Sequence, residues 1–169
     1  MKILFLFFPL FLWANCPFCN SDVLDQQSIY ETEDIVVLYS YKPLLKGHIL
    51  LVPKRHVTRF EDLTEKEAAS LFQITKKIHR SVSKLYQTQD YILLQKNGKS
   101  VGQTVDHVHM HYIPRKKEKS AYAFLCKFLI YPFLPILNKN DLKYEVTKLK
   151  EELSEKDLNP LPKNQNSIL

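Results

Sequence analysis

Three of the chain's six histidines stand at alternate positions, His107, His109 and His111. Side chains along a strand repeat with a period of two. The spacing therefore predicts a strand over 104–113 with an imidazole row on one face and Val108, Met110 and Tyr112 on the other. Such a row can bind a metal, present a nucleophile with its supporting groups, or do neither, because a strand histidine is commonly satisfied by a carbonyl or by solvent. Just upstream runs Asn97-Gly98-Lys99-Ser100-Val101-Gly102-Gln103-Thr104, whose two glycines permit a tight turn with amide N–H groups open to an anion. Joined, the two stretches read as a phosphate-facing loop beside a nucleophile. Neutral imidazole can attack phosphorus near pH 7, forming a phosphoramidate that water later opens. That chemistry needs a partner to fix the ring tautomer and donors for the developing phosphoryl charge.

A second set of reactive side chains is Cys16-Pro17-Phe18-Cys19, with Cys126 left over. The pair can form a disulfide, work as a thiol-redox couple, or supply half of a zinc tetrahedron that two imidazoles would complete. The redox reading lacks the preceding strand and following helix pattern that would support it.

The elements that must hold these groups alternate in period. Segments 28–32 and 35–40 are β-prone, with Glu33-Asp34 as a hairpin turn, and 48–52 gives a third strand closed by Pro53. Between 64 and 86 the period lengthens: Leu71, Ile74, Ile78, Val82 and Leu85 recur every three or four residues, marking one amphipathic helix. Thr64 and Glu67 form a capping box at its start. A fourth strand follows at 91–95, and the glycine loop leads to the fifth. The order implies an α+β domain with an antiparallel five-stranded sheet, one long helix and a C-terminal helix.

With 169 residues, 45% hydrophobic and 25% charged, the chain suits one domain with a real core. Its formal net charge is +6, but the basic residues are dispersed. The densest cluster, Arg115-Lys116-Lys117, has no interleaved aromatics, so no nucleic-acid polymer is expected as a partner. Met1-Lys2 precedes an apolar run to Trp13 that is too short to span a membrane, and 1–14 reads as a signal peptide cut after Ala14 or as a buried first element. Cleavage would place the protein outside the cytoplasm, in a periplasmic or secreted setting; otherwise it is cytoplasmic. Segment 121–137 is apolar but broken by Lys127, Pro132 and Pro135. It is expected to pack against the sheet or to meet a membrane surface or partner. Beyond it, 141–156 reads as a charged surface helix and 159–169 as a tail.

These residues resemble the histidine-triad (HIT) family, whose signature is His-φ-His-φ-His-φ-φ with φ apolar. The match is His107-Val108-His109-Met110-His111-Tyr112-Ile113, preceded by Gly102-Gln103-Thr104-Val105. Gly47-His48 through Pro53-Lys54-Arg55-His56 and Cys16-Pro17-Phe18-Cys19 are similar to two further family blocks, in family order over 16–115. The resemblance implies a nucleotide hydrolase or nucleotidyl transferase acting at the α-phosphate, with His109 as nucleophile. It places His111, His48 and Gln103 around the phosphate, Gln103 meeting the leaving group or incoming water. Gly102, Thr104 and Asn97 of the loop would join them. Zinc-bearing branches imply a structural zinc on Cys16, Cys19, His56 and His107. Two positions depart from the pattern: Ser40 stands where Asp or Asn usually meets the ribose, and Lys96 where Asn or Gln is common. A homodimer through edge strands is implied too. A catalytically quiet nucleotide- or metal-binding module is the alternative within the same resemblance.

Overall fold

The computed structural model describes residues 16–116 and 121–157, apart from the side chains of 121 and 155–157. The expected leader over 1–14 and the tail over 159–169 lie outside the described residues. Strands β1 (Ser28–Glu31) and β2 (Ile35–Tyr39) are joined by a turn in which the Ile35 N–H donates to the Thr32 hydroxyl at 3.0 Å. Strand β3 (Ile49–Pro53) follows, then helix α2 (Glu65–Tyr86) after the short α1 (Ser21–Gln27) at the amino end. Strands β4 (Asp90–Gln95) and β5 (Met110–Arg115) complete an antiparallel sheet of order β1-β2-β3-β5-β4. Helices α3 (Ala121–Leu129) and α4 (Lys139–Asp157) close the chain. The α+β architecture is the one the sequence implies.

One sheet face carries Ile35, Val37, Tyr39, Ile49, Leu51, Met110 and Tyr112, packed against Leu71, Ile74, Ile78 and Val82 of α2. The capping box forms: Glu67 N–H donates to the Thr64 hydroxyl at 3.2 Å, and Thr64 N–H donates back to the Glu67 carboxylate at 2.8 Å. Alternation sends Val36, Leu38, Leu50 and Val52 to the other face, where Phe18 covers them.

Two expectations are corrected here. The last strand does not begin at 104. Met110 pairs with Leu51 on one side and Gln95 on the other, and upstream of it both neighbouring ladders end, β3 running into Pro53, which has no N–H. Residues 104–109 therefore leave the sheet, and Val108 N–H turns to the Val57 carbonyl. The second correction concerns the carboxyl third. Helix α4 is no mere surface helix: Leu142, Val146, Leu149 and Leu153 form a buried stripe in the main core. Segment 121–137 packs poorly by comparison, leaving Tyr122, Leu129 and Phe133 at 81%, 69% and 87% exposure. Among the described residues no helix is long and apolar enough to cross a membrane.

Candidate functional site

His48 enters β3 behind Gly47, and His111 lies in β5 opposite Leu50, so both rings project from the Leu50 face of the sheet. The backbone settles their tautomers. Leu44 N–H donates to His48 Nδ1 at 3.0 Å, so the proton of neutral His48 is on Nε2. That N–H donates to His111 Nδ1 at 2.9 Å, which puts the His111 proton on Nε2. His109, one residue before the ladder begins, donates from Nδ1 to the His107 carbonyl at 2.7 Å. Its Nε2 therefore carries a free lone pair. The His109 and His111 rings meet edge to face, 5.0 Å between centroids. The unprotonated Nε2 of His109 thus belongs to a ring packed against one that carries an Nε2–H donor.

The environment keeps these rings neutral at pH 7. Burial drives His48 down to about 3 and His111 to about 2, with nearby imidazoles adding to the shift. His109 is lowered as well, chiefly by burial and then by the Lys96 ammonium, while its bond to the His107 carbonyl opposes the change. The Lys96 ammonium also contributes, as the smallest cause, to the lowering of His111.

The loop behaves differently from expectation. Gln103 is 6% exposed and spends its whole amide on protein: Oε1 accepts from Gly98 N–H at 2.6 Å, and Nε2 donates to the Thr58 and Val105 carbonyls at 3.2 and 3.0 Å. It holds the loop shut and leaves no donor for a leaving group or water. Asn97 also works as a pin, accepting from Phe60 N–H and donating to Glu61. Gly102 turns at φ +83°, where an added Cβ would lie 3.3 Å from Lys96 Nζ. Thr104 is exposed on the same turn.

Cys16, Cys19, His56 and His107 converge, with their donor atoms all within 4.8 Å of one another. Cys16 and Cys19 Sγ approach His107 Nδ1 at 3.3 and 3.6 Å, and Cys19 Sγ lies 3.4 Å from His56 Nδ1. His107 Nε2–H donates to the Pro53 carbonyl at 2.9 Å, so Nδ1 points its lone pair at the sulfurs. A tetrahedral ion with metal–nitrogen and metal–sulfur bonds of ordinary length needs nitrogen–sulfur edges of about 3.6 Å. The donor set fits. Burial and the neighbouring Cys16 raise the Cys19 thiol to about 11, the opposite of what a reactive redox thiol needs.

Two residues in the neighbourhood were not legible as site residues. Phe18 fills the space between the centres, its ring 5.9 Å from His107 and 5.1 Å from His109. Its place inside the Cys-x-x-Cys turn was the available signal. Tyr131 donates to the Lys42 carbonyl at 3.0 Å, and burial pushes its phenol up while the nearby buried Ser40 opposes the change. Lys96 rests over the Phe128 ring. The carboxyl segment therefore borders both positions that depart from the family pattern, a distant contact that no local spacing announces.

A family model described as "HIT domain" matches residues 21–118. The chain is 38% identical over 91 residues to a bis(5'-nucleosyl)-tetraphosphatase of Schizosaccharomyces pombe, a match covering 54% of this chain and 50% of that protein. It is 29% identical over 144 residues to an adenosine 5'-monophosphoramidase of the same organism, covering 84% of this chain and 98% of that one. A solved Plasmodium falciparum diadenosine triphosphate hydrolase superposes with a TM-score of 0.66 at 27% identity, covering 78% of each chain.

Proposed function

From the premise that this chain belongs to the HIT family, we propose that it is a nucleotide hydrolase or nucleotidyl transferase that cleaves at the α-phosphate through a nucleotidyl-His109 intermediate. The observation that carries the reading is the Nδ1–H bond from His109 to the His107 carbonyl, which leaves Nε2 unprotonated. In the first half-reaction that lone pair forms an N–P bond while the bond from phosphorus to the leaving group breaks, its electrons departing with the leaving atom. In the second, water adds to phosphorus and releases a proton to solvent, the N–P bond opens, and Nε2 recovers its lone pair. An acceptor other than water gives transfer. The outward His111 N–H donates to phosphoryl oxygens, and the Lys96 ammonium offsets their charge. The names of the two yeast relatives support both phosphoanhydride and phosphoramidate substrates.

The test is single turnover with an adenosine phosphoramidate and a diadenosine polyphosphate. His109→Ala should abolish product and the acid-labile adduct; retained turnover overturns the reading.

The same reading assigns a structural zinc to Cys16, Cys19, His56 and His107. Four protein ligands leave no open position, so the ion would hold the amino end to the 53–57 turn rather than activate water. Metal analysis of the purified protein tests this, and a metal-free, fully folded protein would sink it. Dimerisation falls to β4, an edge strand with Tyr91 and Leu93 exposed, and sedimentation of Leu93→Lys against wild type checks it. The exposed apolar residues of 121–137 support contact with a membrane surface. Export through cleavage after Ala14 is tested by sequencing the amino terminus of the mature chain.

A further inference from the structure

A cavity of about 740 Å³ reaches Pro114 of β5, whose place in the strand alternation is on the face opposite His111. Four elements or loops each send one lysine to its wall: Lys46 from the β2–β3 loop, Lys116 after β5, Lys127 from α3 and Lys148 from α4. Among the described residues no carboxylate lines it. Behind the wall, Glu145 is 5% exposed and already taken by the Tyr86 hydroxyl at 2.7 Å and by Lys46 at 3.4 Å. Lys148 lies over the Tyr86 ring, 5.1 Å from its centroid.

Glu145 offsets the charge of Lys46, and the other three lysines leave the cavity wall with a surplus of positive charge that favours an anion. Lysine serves as a flexible point charge, suited to several phosphate groups rather than to one planar carboxylate. The volume is that of a small-molecule site. On α3, the helix that carries Lys127, Tyr122, Leu125 and Leu129 are exposed.

We propose that this cavity is a second anion site, separate from the imidazole face, that takes a ligand bearing clustered phosphates, supplied either by a soluble polyphosphate or by anionic phospholipid headgroups. The lipid source would seat the exposed apolar residues of α3 in the bilayer while the lysines hold the headgroups.

The experiment uses the full chain and Lys116→Gln/Lys127→Gln, two exposed positions outside the imidazole site whose replacement should leave folding and single-turnover rate unchanged. Inorganic tripolyphosphate is titrated by calorimetry, and flotation is measured with phosphatidylcholine vesicles carrying about one-fifth phosphatidylserine. Binding of either probe that weakens about tenfold or more in the double variant supports the site, and which probe binds identifies the source. Equal binding by wild type and variant, or no binding of either probe by wild type, overturns it. Because the variant keeps His109, its catalytic rate reports separately on the imidazole site.

Discussion

Replacing Gln103 by Glu separates a loop staple from a group that touches substrate. The native amide accepts once and donates twice, to Gly98, Val105 and Thr58. A carboxylate keeps the Gly98 bond but points its second oxygen at two carbonyl oxygens about 3 Å away. Two hydrogen bonds of about 0.5–1.5 kcal/mol each are lost, and a buried charge faces like-signed dipoles, so a deficit of about 2–3 kcal/mol is expected at pH 8. Protonation restores one donor. The folded pKa of the introduced carboxyl must then lie above the unfolded value of about 4.3, and the folded variant binds the extra proton between the two. Its stability is therefore greatest below the unfolded pKa and is lost as pH rises through the folded one. Urea unfolding of wild type and Gln103→Glu at acid and alkaline pH measures the difference, and groups common to both cancel. The deficit should shrink by about 1 kcal/mol or more on the acid side. A deficit that is absent, or that grows as pH falls, refutes the staple. A stable variant with only its rate reduced would return Gln103 to the leaving group.

Gly47 sits at φ +81° with room for no side chain, since an added Cβ would lie 2.9 Å from both Pro114 and the Tyr86 ring; Gly47→Ala should cost about 3 kcal/mol in urea unfolding from the left-handed backbone and the clash together. Glu67 is held down to about 2, first by its bonds to Arg55, so its contribution is present above the ordinary carboxylate pKa and is lost as pH falls toward 2. Glu67→Gln should cost about 1–2 kcal/mol at pH 7, with the Arg55 share discounted for exposure, and should converge with wild type in acid unfolding curves. Tyr131→Phe removes the phenol from Ser40 and Lys42, and a KM change of about threefold or more with kcat nearly constant is expected in steady-state assays. Chelation should lower Tm by about 5 °C or more by calorimetry, in wild type but not in Cys16→Ser.

How much of this can be seen in the chain itself depends on range. Thr64 and Glu67, three residues apart, announce the start of α2, because a capping box is local chemistry. The alternation of histidines draws attention to the right segment, yet it overextends the strand that holds them. The limit of that strand is set by where Leu51 and Gln95 stop, and those partners are remote in sequence. The four sulfur and nitrogen donors are legible as a set only through the family resemblance, and the structure brings them together. Gln103 is legible as a site residue by resemblance, but the direction of its amide depends on a carbonyl 45 residues away. Charge conceals α4: Leu142, Val146, Leu149 and Leu153 are periodic, beneath lysines and glutamates that only the solvent side displays.

The two centres share more than proximity. His107 offers Nδ1 to the cysteine sulfurs and fixes that nitrogen's lone pair by donating Nε2–H to Pro53. The carbonyl of the same residue then fixes the His109 proton on Nδ1, and so leaves Nε2 bare. One residue therefore sets both lone pairs. Val108, between the two histidines, is fully buried and anchored to Val57, which prevents the His107 carbonyl from turning away. Phe18 packs against both rings and is itself carried between the two cysteines. The order of dependence runs from Cys16 and Cys19 through Phe18 and His107 to His109. A closed metal tetrahedron in this place would contribute no open coordination position to catalysis, but it would make the tautomer of His109 a property of the fold rather than of solvent.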